Sequence, residues 1–162
     1  MIKIIFRVAF LKNKNYLLTS LKSIIMSTSE LLKQWYDEVW NKSNESFIDE
    51  MMHRDVIVHG LDPVGTTKGI ENFRNFYKNF RNSFPFVHVE VRPLVNDEQF
   101  ATAWCHVSAK HAKGNNISFT GLCVGRYKDG KLVEGWNSFD FLKMYQQLGH
   151  RLIAEEEYAD KA

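Results

Sequence analysis

The sequence predicts an α+β domain, a cone-shaped barrel in which a curved antiparallel sheet wraps around N-terminal helices. Three observations carry this. Helical patterns dominate the first half of the chain, alternating strand patterns fill 86–141, and an Asp129-Gly130 turn joins the last two strands. Helices early and antiparallel strands late is the α+β order. A long sheet curving around helices leaves an open mouth, and concave apolar mouths are where small ligands bind.

Ser27-Thr-Ser-Glu30 has the form of a capping box, so a helix starts there. It runs to about Lys42, with Leu31, Leu32, Trp35, Val39 and Trp40 on one stripe. Asn44 is placed to cap a short second helix holding Phe47, Ile48, Met51 and Met52. Asp55–Gly60 reads as a strand and 61–68 as a loop marked by Pro63 and Gly65. Ile70, Phe73, Tyr77, Phe80 and Phe84 recur at helical spacing. Strands follow over 86–95, 100–111, 117–127 and 131–141, in a meander. Asp-Gly suits a type I′ turn, which requires positive φ at both central residues. A short helix over 141–148 closes the domain, and Asp140 is placed to cap it. We therefore divide the chain into an N-terminal extension (1–26), one domain (27–149) and a charged tail (150–162).

Charge sets bounds on partners. The chain carries 21 Lys and Arg against 19 Asp and Glu. Five of those bases lie in residues 1–29, which hold no acid, so the remainder has 16 bases against 19 acids. No basic run marks a nucleic-acid surface. The apolar start, Met1–Leu11, is interrupted by Arg7 and followed by Lys12 and Lys14, too short and too charged to span a bilayer. It reads either as an organelle-targeting segment or as an upstream extension with Met26 the natural start. Cys105 and Cys123 are expected to be buried reduced thiols of a cytoplasmic protein. No His or Cys spacing suggests a metal.

Residues 69–91 (Gly69-Ile-Glu-Asn-Phe to Val-His-Val-Glu-Val91), Ile117-Ser-Phe-Thr-Gly121 and the hairpin Tyr127–Gly149 resemble the nuclear-transport-factor-2-like superfamily. More narrowly, they are similar to its SnoaL-like polyketide cyclase or ester cyclase branch. The likeness spans about 30–149. It implies an apolar pocket, a small apolar carbonyl-type ligand, no metal or cofactor, and a homodimer packed through the sheet. In cyclases of this kind a pocket carboxylate abstracts a proton alpha to a carbonyl, and the enolate closes a ring. Members with Trp-Asp at the end of this hairpin place that carboxylate where Asn137 stands here. An amide is no general base, but it can donate a hydrogen bond to an enolate oxygen.

Candidate residues follow. Gly135, Asn137 and Phe139 share one face of the last strand, and Glu134, Trp136 and Ser138 the other. Asn137 is the candidate carbonyl or oxyanion donor; otherwise it is a half-buried structural amide. His59, at the end of a strand, is the candidate acid/base, or a solvated histidine before a turn. Trp104 and His106 either line the cavity or form the outer sheet surface; strand parity alone leaves both open. Trp35, Phe73, Tyr77 and Phe119 are the remaining expected pocket-lining residues, with core packing as the alternative for the helical ones. The function expected is that of a cyclase, isomerase or hydrolase. The alternative is a non-catalytic ligand-binding or dimerisation module of the same fold.

Overall fold

Local sequence signals start and stop the elements of the computed structural model, which describes residues 26–61 and 65–153. Helix α1 (Thr28–Trp35) opens with the expected capping box: the Ser27 amide donates to Glu30 Oε2 at 2.8 Å. Thr28, buried, sits within hydrogen-bond reach of the Asp97 and Phe100 carbonyls at 2.7 and 2.9 Å. That contact pins the helix start to the turn between two later strands. The helix does not continue as α to Lys42. Residues Tyr36–Asn41 widen into a π-helix. Widening redirects carbonyls that an α-helix would use itself. Buried Tyr77 donates to one of them, Val39 O, at 2.9 Å.

Helix α2 (Phe47–Met51) follows, with Ser46 rather than Asn44 at the cap position. The Asn44 side chain instead accepts from the Ser46 hydroxyl. Then come β1 (Met52–His59), β2 (Thr66–Lys68), α3 (Ile70–Ser83), β3 (Phe86–Asn96), β4 (Phe100–Lys110), β5 (Asn116–Lys128), β6 (Lys131–Phe139) and α4 (Phe141–Gln147). The segment read as a loop over 61–68 thus contains a short strand. Asp140 caps α4 by accepting from the Lys143 amide at 2.9 Å. Expectations about the extension before Met26, Pro63 and most of the charged tail lie outside the described residues.

The six strands form one sheet in the order β2-β1-β6-β5-β4-β3. It does not close, so the cone is an open curved sheet rather than a barrel. It is also mixed, because β1 runs parallel to β6. The meander β3 to β6 is antiparallel throughout. Pro93 is tolerated because β3 is an edge strand. Helices α1 and α3 and the π-turn fill the concave face. Alternate residues of β3, β4 and β5 (Val87, Val89, Ala103, Cys105, Val107, Phe119, Cys123) point into that core and are buried. Asn41 fastens the π-turn to β3, donating to Val89 O at 3.0 Å and accepting from Val89 N at 2.7 Å.

Gly60 ends β1 with φ of +73°, and a Cβ placed there would lie 2.0 Å from the Asn137 carbonyl oxygen. Both the left-handed backbone and the contact exclude other residues. Gly60→Ala should lower unfolding free energy by more than about 2 kcal/mol in urea melts, from the conformational cost plus the clash.

Candidate functional site

The β5–β6 hairpin builds the cavity wall. Its turn has positive φ at Asp129 (51°) and Gly130 (75°), as a type I′ geometry requires. The resulting register sets Cys123 opposite Asn137 and Gly125 opposite Gly135. Both pairs face inward, and the second contributes no side chains. Below them lies a cavity of about 80 Å³, roofed by Trp35, Tyr36 and Trp40 of the first helical segment and Phe73, Phe76 and Phe80 of α3. A Cβ at Gly135 would make ordinary van der Waals contact with Val58 and Leu132, at 3.8 and 3.9 Å, so a methyl fits on the cavity wall there without a clash.

Polar groups on this wall are few. Asn137 Nδ2 donates to the His59 backbone carbonyl at 3.0 Å. Its second N–H and its oxygen have no protein partner among the described residues. Cys105 and Cys123 are free thiols with sulfurs 3.7 Å apart, and the Tyr36 hydroxyl interacts with both. The hydrogen bond between the two sulfurs, in which either can donate, raises the pKa of Cys105 and lowers that of Cys123. Burial, then the adjacent sulfurs, push the Tyr36 phenol well above its usual value, so it stays a neutral donor. No Asp, Glu, His, Lys or Arg lines the cavity among the described residues.

The expected site residues divide between two faces. Asn137, Trp35, Phe73 and Phe119 border the cavity. Tyr77 does not; its ring is buried between α3 and the π-turn, where it serves the Val39 carbonyl. His59 is also not on the cavity, because Val58, its neighbour in β1, takes the inward position. The imidazole lies on the convex face, 3.0 Å from Glu134 and 3.1 Å from the Thr66 hydroxyl, and stacks 5.5 Å from Trp136. Trp104 and His106 are corrected likewise. Ala103, Cys105 and Val107 take the inward positions of β4, so the indole and imidazole stack on the convex face. There Arg92 covers Trp104, and His106 meets Ser118 at 2.8 Å. Cys123 and Gly125 line the cavity and were not expected there. The inward parity of Cys123 with Phe119 was the available signal.

Glu134 joins His59 to Arg126, whose guanidinium is 2.8 Å away. The His59 hydrogen bond first, then that of Arg126, hold this carboxyl below its ordinary 4.5. A lowered carboxyl contributes stability that is fully present above the ordinary value and is lost as pH falls through the lowered one. Glu134→Gln should therefore flatten the acid side of the stability profile, read as melting temperature between about pH 3 and pH 6: the variant melts lower than the parent at neutral pH, and the two curves converge at the acid end.

Among the described residues no helix is long and apolar enough to cross a membrane, and no cluster of three His, Cys, Asp or Glu could hold a metal. Residues 30–148 match the family model of the SnoaL-like polyketide cyclases. No curated protein matches the chain. A candidate polyketide cyclase of Bacillus cereus is 31% identical, with a TM-score of 0.61, over 72% of this chain and 75% of its own. The fold is shared with IdmH of Streptomyces antibioticus, a candidate polyketide cyclase at 22% identity and TM-score 0.65, covering 75% of this chain and 98% of that one. A third, from Acidithiobacillus ferrooxidans, gives 24% identity and TM-score 0.65 over 76% and 98%. With the family model spanning all but the two ends, the chain belongs to the SnoaL-like polyketide cyclase family, of nuclear-transport-factor-2-like fold.

Proposed function

We propose that this SnoaL-like protein binds a small apolar carbonyl compound in its cavity, with Asn137 as the group that orients the carbonyl. One observation carries the reading: among the described residues the cavity wall is apolar, and it carries no carboxylate, imidazole or ammonium. Proton abstraction alpha to a carbonyl needs a base within hydrogen-bond reach. Asn137 is an amide, Tyr36 is held neutral, and His59 faces the other side of the sheet. The free amide hydrogen of Asn137 is suited to polarising a carbonyl oxygen in an apolar setting, where such a bond is strong. Binding is therefore the activity the cavity supports best, and the family's ring closure would need a base from elsewhere. A reduced, buried thiol pair agrees with a cytoplasmic setting.

A second reading concerns assembly. Trp104 and Leu122 lie directly opposite each other on the convex face. Leu122 is 49% exposed and Trp136 36%. We propose that this apolar centre, rimmed by Glu90, Arg92, His106 and the His59–Glu134–Arg126 group, is the contact of a homodimer. An apolar centre within a charged rim is the usual anatomy of an interface.

Binding is tested with 4-methylacetophenone. It should raise the melting temperature in a concentration-dependent way, since a ligand of the folded state stabilises by mass action. Gly135→Ala should fold at least as stably yet weaken binding by about tenfold or more, because the new methyl stands on the cavity wall; tenfold corresponds to about 1.4 kcal/mol. Asn137→Leu should weaken it similarly. No thermal shift at millimolar ketone would sink the binding reading. For assembly, sedimentation should show a dimer that Leu122→Glu converts to a monomer; a monomeric parent protein overturns it.

A further inference from the structure

Cys123 is the one thiol on the cavity wall among the described residues, and that wall holds no lysine or histidine that could act as a nucleophile. Three groups converge on its sulfur. The Cys105 sulfur and the Ala103 carbonyl each lie 3.7 Å away, and the Tyr36 hydroxyl interacts with both thiols. Thiolate is the nucleophilic form of cysteine, and hydrogen bonds to the sulfur favour it. The bond with Cys105 first, against desolvation, lowers the Cys123 pKa, and Tyr36 lowers it further. Asn137 stands directly opposite Cys123 in the β5–β6 ladder and also lines the cavity. Residues so opposed have Cβ atoms about 5 Å apart. A sulfur nucleophile and an amide donor therefore face the same small space.

We propose that Cys123 is a covalent capture site for an α,β-unsaturated ketone: Asn137 holds the carbonyl while the Cys123 sulfur adds to the β-carbon. The inference rests on the cavity-binding reading above and narrows its ligand to an enone. An enone is planar and apolar, and its carbonyl oxygen and β-carbon are the two ends of one short conjugated unit. It matches a wall that sets one amide donor beside one sulfur. In the step, the Cys123 thiol gives its proton to water and the sulfur electron pair forms the S–C bond. The C=C π pair shifts, and the charge comes to rest on the carbonyl oxygen as an enolate, where the free Asn137 N–H stabilises it. The α-carbon then takes one proton from water and the carbonyl is restored. The product is a thioether with the mass of protein plus enone, and no outside oxidant or reductant takes part. The step abstracts no proton from carbon, so it suits a cavity whose wall carries no carboxylate or imidazole base.

The probes are 1-phenylprop-2-en-1-one and its saturated counterpart propiophenone, which share ring, carbonyl and outline. Incubated with the enone near neutral pH, the full chain should gain the mass of one enone, and peptide mapping should place it on Cys123. The chain has only two cysteines, both buried, so no exposed thiol competes. The rate of addition should saturate with enone concentration and fall when propiophenone is added, because both compounds fill the cavity. Cys123→Ser should gain no adduct on this peptide, with its fold checked by melting temperature. Asn137→Leu should slow addition by about a hundredfold, the scale of one lost oxyanion donor. An unmodified Cys123 in the parent, or an adduct whose rate rises linearly with enone and ignores propiophenone, overturns the capture site. If propiophenone still raises the melting temperature of the parent in that case, the cavity reading stands. Failure of propiophenone to bind, with no adduct from the enone, overturns both.

Discussion

The register of the β5–β6 hairpin is the constraint on which the rest of the molecule depends. The Asp129-Gly130 turn sets it, and the residues that β5 and β6 contribute to the cavity wall inherit their facing from it. Side chains alternate with a period of two, so a slip of one residue would turn Asn137 to solvent and bring Trp136 inside. The register also shifts between Arg126 and Tyr127, a bulge that lets both Leu132 and Gly135 face inward although they are three residues apart. Without it, Leu132 would sit on the convex face and the closed end of the cavity would lose its floor.

A second constraint acts from the opposite side. The first helix must widen at Tyr36–Asn41 to bring Tyr36 against the two thiols and Trp40 over the cavity. Widening leaves carbonyls to satisfy, and Tyr77 and Arg81 of α3 supply donors to Val39 and Trp40. Asn41 then binds both backbone groups of Val89. Together these bonds tie helices to sheet across the top of the cone, and they explain why a tyrosine with the spacing of a pocket residue is structural instead.

The two faces of the sheet keep different chemistries apart. Inside are aromatic rings, small side chains and two thiols, with the amide of Asn137 and the phenols of Tyr36, Tyr77 and Tyr127 among the polar groups. Outside are the titratable groups: His59, Glu134, Arg126, His106 and Glu90. Asn137 spans the divide, bonding through its side chain to the backbone of His59 while its other polar atoms face inward. A neutral amide suits that place, because an ionised group there would need desolvating against an apolar wall.

The sequence by itself determined the order of the main elements, the Ser27 capping box, the hairpin turn and the sharing of one face by Gly135, Asn137 and Phe139. These follow from local periodicity and turn chemistry, which act over a few residues. Superfamily and branch were equally legible, from the helix–strand segment and the closing hairpin. Tertiary structure alone decided which face of β4 is inside, because alternation gives two faces and only the packing of the helices chooses between them. It also decided that His59 faces away from Asn137. Their backbones are neighbours through the parallel β1–β6 pairing, a contact between residues 78 apart in the chain. The open edge of the sheet, the π-turn and the bulge have the same origin. Each arises where a distant element competes with a local preference, and such competition leaves no local mark.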